Sequence, residues 1–511
     1  TLGRWTRDRA IATPERVAID DRGVVVTYRD LDARATALAE ALLAAGYGVG
    51  DRIATLTGNS ADQVVLFFAC AKAGLVLVPL CWRLAPREVA EQVELADPAL
   101  VLIEDEFASL ASSALERLGI PLAVGALGTH GIEREVVPPV RRDTEPVVRR
   151  AVRDDDPLLI VFTSGTLSRA KGAILTHANC FWTNLSLSRT AEITSGDTVL
   201  AVLPQYHVGG WNIQPLLAWW MGATVVLERT FDPGRVLHLI EDRRITTMMG
   251  VPANYQQLAQ HPRFARSDLS SLTHAVVGGA PMPEPLLRVW HGRGVALQQG
   301  YGLTEASPNV LCLPDERARD LVGSAGKPYP HVEVAVADIV TGEHLDGAAT
   351  GELLVAGPGV FAGYFRAPEQ TARAMRGAWL ATGDLVHRDA EGYFRIVDRL
   401  KDIFISGGES IAPAEIESVL LGHPAVADAS VIGVPDEQWG EVGVAWIVPR
   451  SGQAVDAADI LDYCATELAR FKMPKAIRFL PEMPRTPSNG KVLRRALLER
   501  WIAERSQEDA R

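Results

Sequence analysis

From Asp30 to Val277 the chain alternates between stretches with helical periodicity and short runs of aliphatic and β-branched residues. Leu31, Ala35, Leu38, Leu42 and Ala45 recur at helical spacing, which predicts a helix from Leu31 to about Ala45, with Asp30 as its cap and Gly46 as its stop. A strand near Arg52–Thr57 is expected next, then a helix near Asp62–Ala73 and a strand near Leu75–Pro79. The rhythm returns at Leu158–Thr163, Thr198–Leu203, Ala223–Leu227 and His274–Val277. Strands joined through helices pair in parallel, because a parallel connection needs a crossover. The alternation therefore predicts βαβ units and an α/β fold. The most apolar tract, Val64 to Cys81, is interrupted by Lys72 and Gly74. It reads as a buried helix followed by a buried strand, not as a membrane span.

After about residue 350 the pattern changes. Gly351–Ala356 and Gly392–Asp398 look like antiparallel strands, and helices are expected near Pro413–Leu421, Ala457–Ala469 and Val492–Ala503. A chain of 511 residues also exceeds what one core supports, about 250–300 residues. The expected architecture is a large N-terminal domain, residues 1–398, of stacked αβ layers with a small β subdomain. A mobile α+β lid, residues 399–511, completes it. The charged junction Asp398–Asp402 beside Gly407-Gly408 suits a hinge near Lys401, where backbone dihedrals must change.

Net charge is −12, from 51 Lys and Arg against 63 Asp and Glu. That balance excludes nucleic acid as the main partner, which wants a basic face, but leaves room for one small phosphorylated ligand. The five cysteines, Cys70, Cys81, Cys180, Cys312 and Cys464, show no metal-ligand spacing. Reduced thiols in a cytoplasmic protein are the expectation.

Five segments carry groups that chemistry uses. Thr163-Ser164-Gly165-Thr166-Leu167-Ser168-Arg169-Ala170-Lys171-Gly172 follows an apolar strand, and its hydroxyls, glycine and lysine can cradle phosphates. In Tyr301-Gly302-Leu303-Thr304-Glu305 the carboxylate is a hard donor suited to Mg²⁺. Thr382-Gly383-Asp384 can offer an aspartate to two ribose hydroxyls. Asp398-Arg399-Leu400-Lys401-Asp402 leads into Gly407-Gly408, and Gly490-Lys491 lies near the end of the chain. Each alone reads equally well as a turn or a solvated charge.

In this order, from Thr27-Tyr28 to Leu493, the segments resemble the adenylate-forming superfamily of acyl-CoA ligases, peptide-synthetase adenylation domains and luciferases. The resemblance implies a two-step reaction: a carboxylate attacks the α-phosphate of ATP, then a thiol attacks the acyl-adenylate after the lid rotates. It implies that Thr163–Gly172, including Ser164, Gly165, Thr166 and Lys171, is the phosphate loop. Glu305 and Thr166 would hold Mg²⁺. Gly278, Gly279, Ala280, Tyr301, Gly302 and Thr304 would frame the nucleotide. Asp384 and Arg399 would bind ribose, with Gly407 and Gly408 completing the cofactor side. Lys491 would bridge carboxylate and α-phosphate, offsetting charge in the transition state. Lys401 takes the hinge position, and His207 would sit between acyl pocket and thiol tunnel. Trp439, Lys472 and Lys475 resemble residues facing coenzyme A.

A bulky, mostly apolar carboxylic acid is the expected substrate, with Trp211 and Met249 walling its pocket. The sequence departs from the superfamily's TSGTTGxPKG loop at Leu167, Ser168 and Ala170, and the segment Pro484–Lys491 looks one residue longer than usual. Both departures touch adenylation. Besides an acyl-CoA ligase with a weakened first step, three alternatives stay open. One is an enzyme that only forms thioesters from adenylate supplied by a partner ligase. Another is a free-standing adenylation domain loading a carrier protein. The last is a degenerate nucleotide-binding protein without turnover.

Overall fold

A computed structural model describes residues 1–118, 124–127, 150–163, 170–280, 282–406, 409–436, 439–453, 455–468, 470–487 and 490–508. The chain forms two compact units. The first comprises Thr1–Met282, Leu286–Val334 and Val355–Ala381; the second comprises Pro283–Pro285, Ala335–Leu354 and Thr382–Arg511.

Among the described residues the first unit holds two large sheets. In one, Thr198–Ala201, Thr224–Leu227, Thr247–Gly250, His274–Val277 and Leu297–Gly302 run parallel. In the other, Arg52–Leu56, Val76–Pro79, Leu100–Glu104 and Val124–Leu127 join Pro157–Thr163 in parallel. Lys171–Thr176 then returns antiparallel to Pro157–Thr163. The expected α/β alternation is therefore observed. Its helices separate parallel strands because each must bury an apolar face against a sheet.

The helix Ala61–Ala73 is buried on nearly every side, as its apolar run Val64–Ala71 requires. Ser60 caps its start and Gly74, at φ 76°, ends it. The first long helix runs Tyr28–Ala44, earlier than expected. Its cap is Thr27 rather than Asp30. Asp30 closes the capping box from the third helical position, because its carboxylate reaches back to the Thr27 backbone N–H.

In the second unit, Val426–Asp436 and Gly440–Pro449 form a long hairpin, extended by Phe404–Ser406 and by the parallel strand Ala476–Phe479. One apolar cluster gathers Ile416, Leu420, Val431 and Ile460 with the helices Pro413–Gly422 and Ala457–Glu467. Another joins Val434, Val444 and Trp446 to Leu497 of the helix Arg494–Glu508. That last helix begins two residues later than Val492 and continues past Ala503. The unit also takes in residues before the expected 398/399 boundary. The physical reason is strand pairing: Asp384 lies opposite Arg399, and Val386 opposite Ile396. Among the described residues no helix is long and apolar enough to cross a membrane.

Candidate active site

In the first unit, the strand Leu297–Gly302 carries Tyr301 and turns into the short helix Thr304–Ala306 that holds Glu305. Gly302 is obligatory there, since a Cβ would stand 1.9 Å from the Pro308 carbonyl oxygen. The segment Phe361–Tyr364 holds Glu305 by its main chain and its carboxylate. The Phe361 N–H donates to the Glu305 carbonyl (2.9 Å), and the Tyr364 hydroxyl donates to Glu305 Oε1 (2.7 Å). Burial, and then the adjoining carboxylate, push the Tyr364 phenol pKa well up, so the hydroxyl remains a donor. Lys171 Nζ lies 4.9 Å from the centre of the same ring. Lys171 opens the strand opposite Thr163, whose hydroxyl reaches the Lys171 carbonyl at 3.5 Å. Tyr364 sits on the neighbouring strand, paired with Ala173. Three strand segments thus bring an ammonium and a carboxylate to one aromatic side chain. Ser164, Gly165 and Thr166 lie outside the described residues, as do Leu167 and Ser168.

Gly278 is buried at the end of His274–Val277, and Gly279 and Ala280 follow it on the surface. A Cβ on Gly278 would meet the Gly300 carbonyl at 2.9 Å and the Met249 methyl at 3.1 Å. Met249 therefore borders this strand end. Trp211 does not: it is fully buried, stacks on Phe67 at 4.7 Å, and donates its indole N–H to the Gln205 carbonyl. Its bulk and its polar edge are both satisfied in the core. His207 is half-buried on the loop after Thr198–Ala201, with its ring 4.7 Å from that of Tyr206.

In the second unit, Asp384 is buried and pairs with Arg399 Nε at 3.0 Å across the hairpin. The Gly383 N–H donates to Glu352 (3.0 Å), and the Thr382 hydroxyl bonds the Leu353 carbonyl (2.7 Å). These contacts fix the turn that presents Asp384. Lys401 is exposed in the turn between Phe394–Arg399 and Phe404–Ser406, and Gly407 and Gly408 lie outside the described residues.

Asp436 collects two of the expected coenzyme A residues. It accepts from the Trp439 N–H (3.0 Å) and from Lys475 Nζ (2.8 Å). The Trp439 side chain is 48% exposed. Lys472 instead meets Glu415 at 2.6 Å. Lys491 is exposed on a hairpin closed by Thr486 and Lys491, whose main chains bond at 2.7 Å. Arg494, just beyond it, is held by Glu417 (2.9 Å) and Asp402 (2.7 Å).

Tyr364 and Glu352, which hold candidate site residues, are passed over by motif reading, whereas Asp436 lies within the segment Pro435–Glu441 that resembles a coenzyme A-facing one. Glu352 adjoins Gly351, which the sequence shows only as part of a strand. Tyr364 has no local signal at all, because its partner is 59 residues away.

A family model described as "AMP-binding enzyme" matches residues 6–365, and one described as "AMP-binding enzyme C-terminal domain" matches residues 415–491. A feruloyl-CoA synthase of an Amycolatopsis species is 39% identical over 98% of this chain and 99% of its own length. An indoleacetate–CoA ligase of Aromatoleum aromaticum is 36% identical over 96% of both chains. Among solved structures, ATP-bound MatB from Rhodopseudomonas palustris superposes with a TM-score of 0.88 at 32% identity, covering 98% of each chain.

Proposed function

This chain belongs to the AMP-binding enzyme family, and from that premise we propose that it joins a bulky, mostly apolar carboxylic acid to coenzyme A through an acyl-adenylate. The observation that carries the reading is the grouping of Lys171, Tyr364 and Glu305. It sets a cation for polyphosphate beside one oriented carboxylate. Mg²⁺ is commonly bound by one or two carboxylates plus substrate phosphates, and Glu305 fits that demand. The ion, when bound, neutralises phosphate charge.

In this reading the Lys171 ammonium binds polyphosphate and Tyr364 fixes Glu305. Asp384 accepts the ribose hydroxyls while Arg399 orients it. One oxygen of the substrate carboxylate attacks the α-phosphorus, and the bond to the departing pyrophosphate breaks. Lys491 offsets the charge gathering between them. The thiol sulfur of coenzyme A then attacks the acyl carbon, and AMP leaves with the bonding pair. Trp439 and Lys475 support coenzyme A over a carrier protein as the acceptor, and Lys401 serves as the hinge between the steps. Feruloyl-CoA synthase and indoleacetate–CoA ligase among the relatives support an aromatic acid. Five free thiols support a cytoplasmic setting.

Leu167, Ser168 and Ala170 favour a second reading, in which adenylation is slow and a partner ligase supplies adenylate. Leu167 lacks a phosphate-bonding hydroxyl, a contact worth about 1.5–3 kcal/mol when the acceptor is charged.

The deciding experiment measures pyrophosphate exchange with a panel of aryl and alkyl acids, beside thioester formation from the matching synthetic adenylates. A two-step ligase performs both. Thioester formation without exchange selects the second reading, and the triple reversion Leu167→Thr, Ser168→Gly, Ala170→Pro should then restore exchange. Transfer to carrier proteins alone, or no thioester from any adenylate, would refute the coenzyme A ligase.

A further inference from the structure

A small cavity of the first unit lies between the end of Thr198–Ala201 and the helix Pro215–Met221, with Leu203, Ile213, Pro215 and Met249 in its wall. Its lining is aliphatic or glycine at every position except Gln214. Gln214 is 1% exposed. Its backbone is at φ 76°, ψ −52°, in the strained γ-turn region that residues other than glycine rarely adopt. Such strain persists only where the surroundings over-determine it, and it concentrates at ligand sites.

The side chain is held from one end. Gln214 Nε2 lies 2.6 Å from Thr247 Oγ1, and Thr247 Oγ1 lies 2.7 Å from the His274 carbonyl oxygen. A carbonyl only accepts, so the Thr247 hydroxyl donates to His274. Its oxygen must then accept from the Gln214 amide N–H. This relay fixes which end of the amide faces the protein. The other end, Oε1, accepts no hydrogen bond among the described residues. At the wall of an apolar cavity such an acceptor is costly to cover with a ligand unless that ligand brings a donor.

Thr247 and Met249 are two residues apart on Thr247–Gly250, so their side chains share one face of the sheet. Met249 borders Gly278 at the strand ends, where the carboxylate would react. The Gln214–Thr247 pair lies about 7 Å deeper along the strand, roughly the length of a benzene ring.

We propose that Gln214 Oε1 is a specificity-determining acceptor at the deep end of the acyl pocket, selecting acids that carry a hydrogen-bond donor, a hydroxyl or N–H, at the end remote from the carboxylate. This rests on the acid-activating reading above and adds to it the class of acid.

The test uses two matched pairs, cinnamic with 4-hydroxycinnamic acid and octanoic with 8-hydroxyoctanoic acid. Adenylation rates are measured, together with calorimetric binding of the corresponding acyl-sulfamoyl adenosines. The hydroxylated member of at least one pair should be preferred about 10–100-fold, the range for a buried acceptor otherwise left unpaired. Gln214→Met keeps the size of the side chain and should erase or invert that ratio. Thr247→Val releases the fixed end of the amide and should shrink it, which guards against a misfolded first variant. Equal binding within both pairs, or a preference that survives in Gln214→Met, overturns the proposal. Failure to turn over any acid would sink the ligase reading, while the calorimetric ratio would still decide this one.

Discussion

Replacing Tyr364 by Phe isolates the group that aims Glu305. The substitution keeps the ring beneath Lys171 and removes only the hydroxyl, which stands 2.7 Å from Glu305 Oε1. A hydrogen bond to an ionised carboxylate contributes about 1.5–3 kcal/mol. At about 1.4 kcal/mol per tenfold, the loss corresponds to roughly 10- to 150-fold if all of it falls on the adenylation transition state. Because the Phe361 N–H still holds the Glu305 main chain, the lower half of that range is expected. Pyrophosphate exchange, followed as a function of Mg²⁺ concentration, should show both a lower maximum and a higher Mg²⁺ requirement. Thioester formation from a supplied adenylate should barely change, since no pyrophosphate is present in that step. Equal losses in both half-reactions would mean that Tyr364 holds the local fold rather than the carboxylate. No loss in either would remove Glu305 from the metal-binding role.

Trp439→Ala should raise the KM for coenzyme A without altering affinity for the acyl-adenylate, and unchanged coenzyme A kinetics would exclude the side chain from the thiol path. Lys401→Pro fixes φ and removes an N–H; it should depress thioester formation more than pyrophosphate exchange, and equal losses would argue against a hinge. Burial pushes the His177 pKa down to about 4 from 6.5, so this group favours the fold above its unfolded pKa. Its contribution is lost as pH falls from about 6.5 to 4, amounting to about 3 kcal/mol. Chemical denaturation of His177→Gln across that interval should show a flatter pH dependence than the parent; an identical slope would place the acid sensitivity elsewhere.

Much of the architecture is legible in periodicity. The strands at Arg52, Pro157 and His274 and the helix Ala61–Ala73 follow from apolar spacing and from caps within a few residues. Errors fall where a side chain competes for a local role. Asp30 reads as a cap but serves Thr27 from inside the helix.

The order of the motifs was enough to identify the family, and it makes Lys171, Glu305, Asp384 and Lys491 the candidates, because each stands in a short segment whose residue types suit phosphate, metal or ribose. What orients those groups was decided by tertiary structure alone. Tyr364 reaches Glu305 from another strand, Glu352 holds Gly383 from 31 residues away, and Gln214 is anchored by Thr247. Burial leaves each of these polar groups to find a partner wherever the fold places one, and a hydrogen bond between distant residues has no period or spacing along the chain to announce it.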